Sequence, residues 1–494
     1  MDSLMSFSGL SHALGARLFP WEGKQGLPSA GGEPRPGPAA GFGFSSVCID
    51  SRAVVPGSLF VALRGEKQDG HSFVDAAFKA GASGAMVSLA ALENPAFLLT
   101  KAAQKWKGVL IAVEDTLKGL QDAARVYLGQ FSNLIRIGIT GSTGKTTTKE
   151  IAAAIIGQEK SIIMNEGNLN SETGLPLSVF NVNSSHEVGV FEAGMNREGE
   201  ISELAKVLNP HLALITNIGS AHIGILGSRG KIAEEKKKIF SEFSGNNTAL
   251  IPMEDEYRDF LAGGICGKAV FYGQSSLPAL GGIRDLGLSG TEILWDGKPV
   301  RFALPGKFNL DNAIAAIALS LELPVSSASI CRGLESVKPL FGRNEIFYGR
   351  ATLIRDCYNS SPEGAEAALD FCDSLLWPGR KIYVLGSMLE QGGFSDDAHA
   401  ALGRRLSSSR GDMVFLYGKE MLFAEEVLRK SREKERGISP PSVPCSLFTC
   451  DMGELSLALD NYIKKGDLVL IKGSRGCALE KLTDILLGEK LNAS

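Results

Sequence analysis

Residues 134–147 read LIRIGITGSTGKTT, and this stretch decides the fold. An apolar run of strand character ends at Thr140, a turn holding Gly141 and Gly144 follows, and a helical run, TTTKEIAAAII, begins behind Lys145. Strand, glycine turn and helix start in immediate succession are what a phosphate-binding loop needs. The glycines let consecutive backbone N–H groups turn inward, and the helix N-terminus adds the positive end of its dipole. In such a loop Thr140, Gly141, Ser142, Thr143, Gly144 and Thr147 surround the phosphates, Lys145 reaches the β- and γ-phosphates, and the Thr146 hydroxyl holds Mg²⁺. The pattern departs from the full signature at Ile139, where glycine is usual. The bland alternative is an ordinary glycine-rich strand–helix turn.

Working outward, SIIM, VGVFE (188–192) and LALITN (212–217) read as further strands, with EGEISELAKVL as a helix between the last two. Apolar strands alternating with helices imply parallel strands joined by crossovers, an α/β fold. Ligands of such sheets sit beyond the carboxyl ends of the strands. Glu192 and Asn217 end two of these strands and His222 lies just past the second, so all three are expected in one crevice with Lys145. A carboxylate at a strand end is often structural. A carboxylate, an imidazole and a loop threonine converging together favour a Mg²⁺–ATP site.

The 494 residues suggest about three domains at roughly 100–200 residues each. Residues 1–131 read as a small α/β domain carrying a flexible insertion, 20–43, in which about half the residues are Gly or Pro. Residues 132–337 form the phosphate-loop block. Residues 338–494 read as a Rossmann-like block whose strands are ATLIRD, KIYVLG, MVFLYG and LVLIKG. No G-x-G-x-x-G opens it, so a dinucleotide is not implied. The 51 basic against 55 acidic residues leave a net charge of −4, which argues against nucleic acid or anionic membranes as partners. No apolar stretch reaches the length of a membrane span, and the N-terminus lacks signal-peptide character, so the expected location is the cytoplasm. The 8 cysteines show no C-x-x-C pair and are expected to be mostly buried, with neither disulfides nor zinc.

The strings TGSTGKTTT, GNLNSETGLP, EAGMNREGEI, TNIGSAHI and LPGKFNLDNAIAA resemble the central domain of the Mur ligases, and the resemblance extends over nearly the whole chain. It implies a three-domain ligase that drives amide formation with ATP. The substrate carboxylate becomes an acyl phosphate, which the incoming amine attacks. It further implies catalytic Lys145, Glu192 and His222, a metal site of Thr146, Glu192, His222 and Lys236 with about two Mg²⁺ ions, and a CO₂-derived carbamate on Lys236. The run 236–238 leaves that register open by one position, and on its own it reads as a solvated helix face. Asn309 and Asn312 match asparagines associated with the adenine; alone, they read as helix-start caps. Asp50-Ser51-Arg52 and the segment that follows resemble the UDP-sugar grip, which implies Ser51, Arg52 and His71. The C-terminal strings FGRNEIF, DCYNSSPEGAEAAL, VLGSMLEQGGFSDDAH and VLIKGSRG resemble the branch that adds D-alanyl-D-alanine to UDP-N-acetylmuramoyl-tripeptide. They imply Arg343 and Asp356 on the nucleotide side, with Asn359, Lys472 and Arg475 toward substrate. Phe308 stands where this branch more often has His, Lys238 where an acid is frequent, and Ser387, where Asp is usual, is given no role. The expected protein is a monomer. The alternatives are a branch adding one amino acid, such as diaminopimelate or lysine, and a phosphate-loop nucleotide module without ligase activity.

Overall fold

The computed structural model describes residues 3–19, 43–435 and 443–488. The expected flexible insertion lies outside the described residues, except for Gly43, which pairs with Ser6 across a short antiparallel ladder.

The phosphate-loop strand, Ile135–Thr140, sits inside a six-stranded parallel sheet. Across the sheet the order is Lys268–Tyr272, Thr248–Pro252, Leu212–Ile215, Ile135–Thr140, Val188–Glu192 and Ile162–Met164. Helices cover both faces, so the central strands Val188–Glu192 and Leu212–Ile215 are buried along their whole length rather than alternating, while the edge strand Lys268–Tyr272 is largely exposed. Ile137 and Ile139 pack beneath the helices Lys145–Ile156 and Lys307–Leu321 on one face, while Phe191, Ala213 and Ile215 face the helix Glu200–Leu208 on the other. The strands neighbouring Ile135–Thr140 on its two sides come later in the chain. The connections therefore diverge at its carboxyl end and open a crevice there.

Before this sheet comes a five-stranded one in the order Arg17–Phe19, Val109–Val113, Gly84–Ser88, Ser58–Val61 and Ser46–Cys48, antiparallel only at the first pair. Its core is not separate. Leu59, Ile111 and Leu120 belong to one apolar cluster with Leu175, Phe191 and Leu204 of the central block. The Tyr127 hydroxyl donates across this junction to the Val182 carbonyl at 2.6 Å.

The C-terminal sheet also has six strands: Glu345–Tyr348, Thr352–Asp356, Leu468–Lys472, Lys381–Gly386, Met413–Tyr417 and Cys445–Thr449. Only the edge strand Glu345–Tyr348 runs antiparallel. A three-stranded antiparallel sheet, Leu280–Asp285, Thr291–Trp295 and Lys298–Phe302, precedes the helix Lys307–Leu321 and was not expected. Its signal was present. Ile293, Trp295, Val300 and Phe302 alternate inward with exposed or half-buried neighbours, and Asp296-Gly297 makes the hairpin turn with both φ angles positive, +50° and +73°. The cysteines also differ from expectation: Cys357, Cys372 and Cys477 are buried, whereas Cys266, Cys445 and Cys450 are exposed, and all eight are free thiols.

Candidate active site

The phosphate loop is built around two close approaches. Gly141 has φ +150°, and a Cβ there would lie 1.8 Å from Thr216 Oγ1; Gly144 has φ +78°, and a Cβ would lie 2.1 Å from Asn312 Oδ1. Only glycine fits either place. The next strand end locks the loop, since Asn217 Oδ1 accepts the Thr143 N–H at 3.1 Å and Thr216 Oγ1 donates to the Thr143 carbonyl at 2.6 Å. Gly219 N–H donates to Ser142 Oγ at 2.8 Å.

Lys145 lies across the loop, donating to the Gly141 and Ser142 carbonyls at 2.9 and 3.3 Å. Burial lowers its pKa; Glu192 opposes the shift and Arg343 adds to it. Thr146 Oγ1 donates to Glu192 Oε2 at 2.7 Å, and the other carboxylate oxygen accepts from Asn170 Nδ2 at 2.6 Å. Arg343, from the C-terminal block, donates to Thr146 Oγ1 at 3.0 Å and stacks its guanidinium over Tyr358.

Lys236 ends buried beneath the loop at 1% exposure, its ammonium 2.9 Å from the Gly141 carbonyl. Burial and the neighbouring Lys145 hold it well below the ordinary lysine range. Its two neighbours point elsewhere. Lys237 donates to the Phe260 and Gly263 carbonyls, and Lys238 pairs with Glu235 at 2.6 Å. Of the three lysines, only Lys236 faces the loop.

His222 occupies a left-handed backbone conformation, φ +65°. Burial, reinforced by Lys145 and Lys236, lowers it to about 3, so the ring is neutral. Its Nδ1 lies 3.2 Å from Glu390 Oε2 but is not aligned for a hydrogen bond, leaving a buried nitrogen without a hydrogen-bond partner.

Residues 142–147, Glu192, His222 and Arg343 line one cleft of about 710 Å³ between the central and C-terminal sheets, with Lys236 buried beneath the loop. Asn309 and Asn312 form its wall beside the loop; Asn309 Nδ2 donates to the Pro305 carbonyl at 2.8 Å, and Asn312 Oδ1 accepts from Thr148 at 3.3 Å. Across the cleft, the parallel register sets Asp356 beside Lys472, and the two form a 2.7 Å ion pair at adjacent strand ends. Asn359 follows in the same loop, its Oδ1 accepting the Ser360 N–H.

Family comparison matches residues 139–320 to the Mur ligase middle domain, 342–475 to the Mur ligase glutamate ligase domain, and 44–127 to the Mur ligase family catalytic domain. The UDP-N-acetylmuramoyl-tripeptide–D-alanyl-D-alanine ligase of Treponema pallidum is 41% identical over 91% of this chain and 95% of its own length. That of Bacillus subtilis is 34% identical over 90% and 94%. The chain belongs to the Mur ligase family. Among solved structures, MurF from Acinetobacter baumannii superposes with a TM-score of 0.82 at 26% identity, covering 98% of both chains. The MurF ligase of Thermotoga maritima in complex with ADP gives 0.73 at 28%, covering 90% of this chain and 97% of its own.

Four of this Mur ligase's expected site residues, Ser51, Arg52, His71 and Arg475, sit apart from the cleft. Arg52 is 89% exposed and pairs with Asp50 at 2.7 Å, with Ser51 in the same short turn. His71 departs from expectation. It is 3% exposed, its Nδ1 bonds to Asp69 at 2.5 Å, and its Nε2 accepts the Ser88 N–H at 2.9 Å. Both ring nitrogens are consumed inside the fold, so His71 shapes this turn and offers no free ring nitrogen to a ligand. Arg475 also departs: it lies 55% exposed, 3.2 Å from Glu480 and over the Phe341 ring.

Sequence reasoning missed Asn170, Glu363 and Glu390. Glu363 accepts both the N–H and the hydroxyl of Ser220, at 2.8 and 2.9 Å, from across the cleft. All three stand inside strings that carried the family resemblance, but nothing local marks any of them as reaching the site.

Proposed function

We propose that this Mur ligase joins D-alanyl-D-alanine to UDP-N-acetylmuramoyl-tripeptide with hydrolysis of ATP, completing the pentapeptide precursor of peptidoglycan. The observation that carries the reading is similarity along nine-tenths of the chain to relatives bearing that name. The geometry supports it, because the phosphate loop and the C-terminal strand ends face one cleft.

In this reading residues 140–147 hold the ATP phosphates, with Lys145 on the β- and γ-phosphates and Arg343 countering charge from the opposite side. Asn309 and Asn312 shape the nucleotide side with Asp356, while Asn359 and Lys472 face the acceptor. Ser51 and Arg52 belong to the UDP-sugar grip. The residues present fit Mg²⁺. Among the described residues no group of three His, Cys, Asp or Glu could hold a metal unaided. Mg²⁺ takes few protein ligands and completes its shell with phosphates and water. The Glu192 carboxylate against the Thr146 hydroxyl, with the unpartnered His222 Nδ1 nearby, suits that habit. When bound, Mg²⁺ would neutralise charge on the phosphates. Lys236 fits the carbamate as well, since burial favours the neutral amine that adds to CO₂.

The substrate carboxylate attacks the γ-phosphorus and releases ADP. The D-alanyl-D-alanine amine then attacks the acyl phosphate and releases phosphate. The protein holds both reactants in line and keeps water from the acyl phosphate. No helix among the described residues is long and apolar enough to cross a membrane, and the reading places a monomer in the cytoplasm. Phosphate release from ATP should require UDP-muramyl-tripeptide and D-alanyl-D-alanine together. Faster release with UDP-muramyl-dipeptide and diaminopimelate or lysine would move the protein to a branch adding one amino acid.

A further inference from the structure

Lys149 is a buried charge that the chemistry above does not use. It stands one helical turn beyond Lys145 on the helix Lys145–Ile156 and is 0% exposed. Its ammonium donates to the Asn165 carbonyl at 2.5 Å, with Glu150 Oε1 at 3.2 Å. Asn165, equally buried, brackets the Glu192 peptide and also ties down the following loop at Leu169. Its Oδ1 accepts the Glu192 N–H at 2.8 Å, and its Nδ2 donates to the Glu192 carbonyl at 3.0 Å and the Leu169 carbonyl at 2.8 Å. Strand pairing between Ile162–Met164 and Val188–Glu192 stops at Met164–Val190. The Asn165 side chain therefore takes over where the ladder ends.

We propose that Lys149 is a positioning residue: through Asn165 it fixes the backbone of Glu192 and so aims the Glu192 carboxylate at Thr146. Packing alone does not call for a lysine here. A methionine would fill similar volume without the desolvation penalty of a buried ammonium. What methionine lacks is a donor for the Asn165 carbonyl, and a peptide left free to rotate there would loosen both amide contacts on Glu192. Supporting contacts of this kind orient ligands, and losing one weakens metal binding measurably.

The inference rests on the reading that Glu192 serves Mg²⁺, and the test separates the two. ADP binding to the full chain is measured by calorimetry across a Mg²⁺ titration, alongside steady-state rates. Lys149→Met should raise the Mg²⁺ concentration for half-maximal ADP binding about tenfold and lower kcat, with KM for D-alanyl-D-alanine unchanged. Lys149→Gln, which keeps a donor, should recover part of the loss. A wild-type protein whose ADP binding ignores Mg²⁺ would remove the metal reading itself. Should wild type respond while Lys149→Met binds ADP with the same Mg²⁺ dependence, the positioning role falls alone. If neither variant folds, the role is structural and the proposal is likewise overturned.

Discussion

At the residue scale, the site depends on buried groups whose protonation the fold has reset. Lys236 and Lys237 are adjacent, yet one is sealed against the phosphate loop and the other caps carbonyls at the surface. Lys236→Ala should therefore cost about 10²-fold or more in kcat, the scale expected when a fixed electrostatic group is removed. Lys237→Ala should stay near wild type. Steady-state rates with and without added short carboxylic acids check this, and an inactive Lys237→Ala beside a normal Lys236→Ala would refute it. His222 offers a pH test. Burial, Lys145 and Lys236 lower it from 6.5 to about 3. Between those values the unfolded chain binds a proton that the folded chain does not. Stability thus rises with pH through that window and is lost as pH falls, by roughly 1.4 kcal/mol per unit for one group. His222→Gln should flatten the dependence of urea stability on pH between about pH 6 and pH 4; an unchanged slope would assign the acid sensitivity to other groups.

At the scale of elements, the phosphate loop is a strand, a turn and a helix whose turn exists only because Gly141 and Gly144 let neighbours approach. A methyl group at 141 meets Thr216 Oγ1 at 1.8 Å, in a backbone conformation that non-glycine residues rarely adopt. Gly141→Ala should destabilise the protein by about 2–4 kcal/mol through strain and overpacking. It should also abolish measurable ADP binding, because Thr216 anchors the loop at Thr143. Thermal melting and calorimetry test both effects, and retained nucleotide affinity in the variant would show that the loop tolerates the shift.

Across the whole molecule, the cleft exists because two sheets present their strand ends to each other. Arg343 reaches Thr146, Glu363 reaches Ser220 and Glu390 lies against His222, each from the C-terminal side onto the central side. The Glu363 contact is charge-assisted and two-pronged, so it ties the C-terminal side to the central side across the cleft. The residues proposed to hold the phosphates, 140–147, and Asn309 and Asn312 belong to the central block. Glu363→Ala should leave ADP affinity within about twofold and lower kcat about tenfold, a loss near 1.4 kcal/mol. Small-angle scattering should show less compaction with substrates bound. An unaltered kcat would mean that this contact does not govern closure.

The order of strands and helices, the phosphate loop and the strand ends bearing Glu192 and Asn217 were legible in the sequence, because hydrophobic period and glycine placement are local properties. Family strings extended that reading to the choice of reaction. Which of three consecutive lysines turns inward was not legible, since successive helix positions differ by about 100° and the face they meet comes from distant chain. The same holds for His71, consumed by Asp69 and by Ser88, and for Arg475, drawn to Glu480. The small sheet after Tyr272 is of another kind, because its hairpin signal, Asp296-Gly297 between alternating apolar positions, is local to the chain. Thr146 meets Glu192 across 46 positions and Arg343 across 197. Contacts over such separations leave no periodic trace in the chain. Composition and pattern can place a residue at a strand end, but its partner, burial and charge state are decided only when the sheets pack.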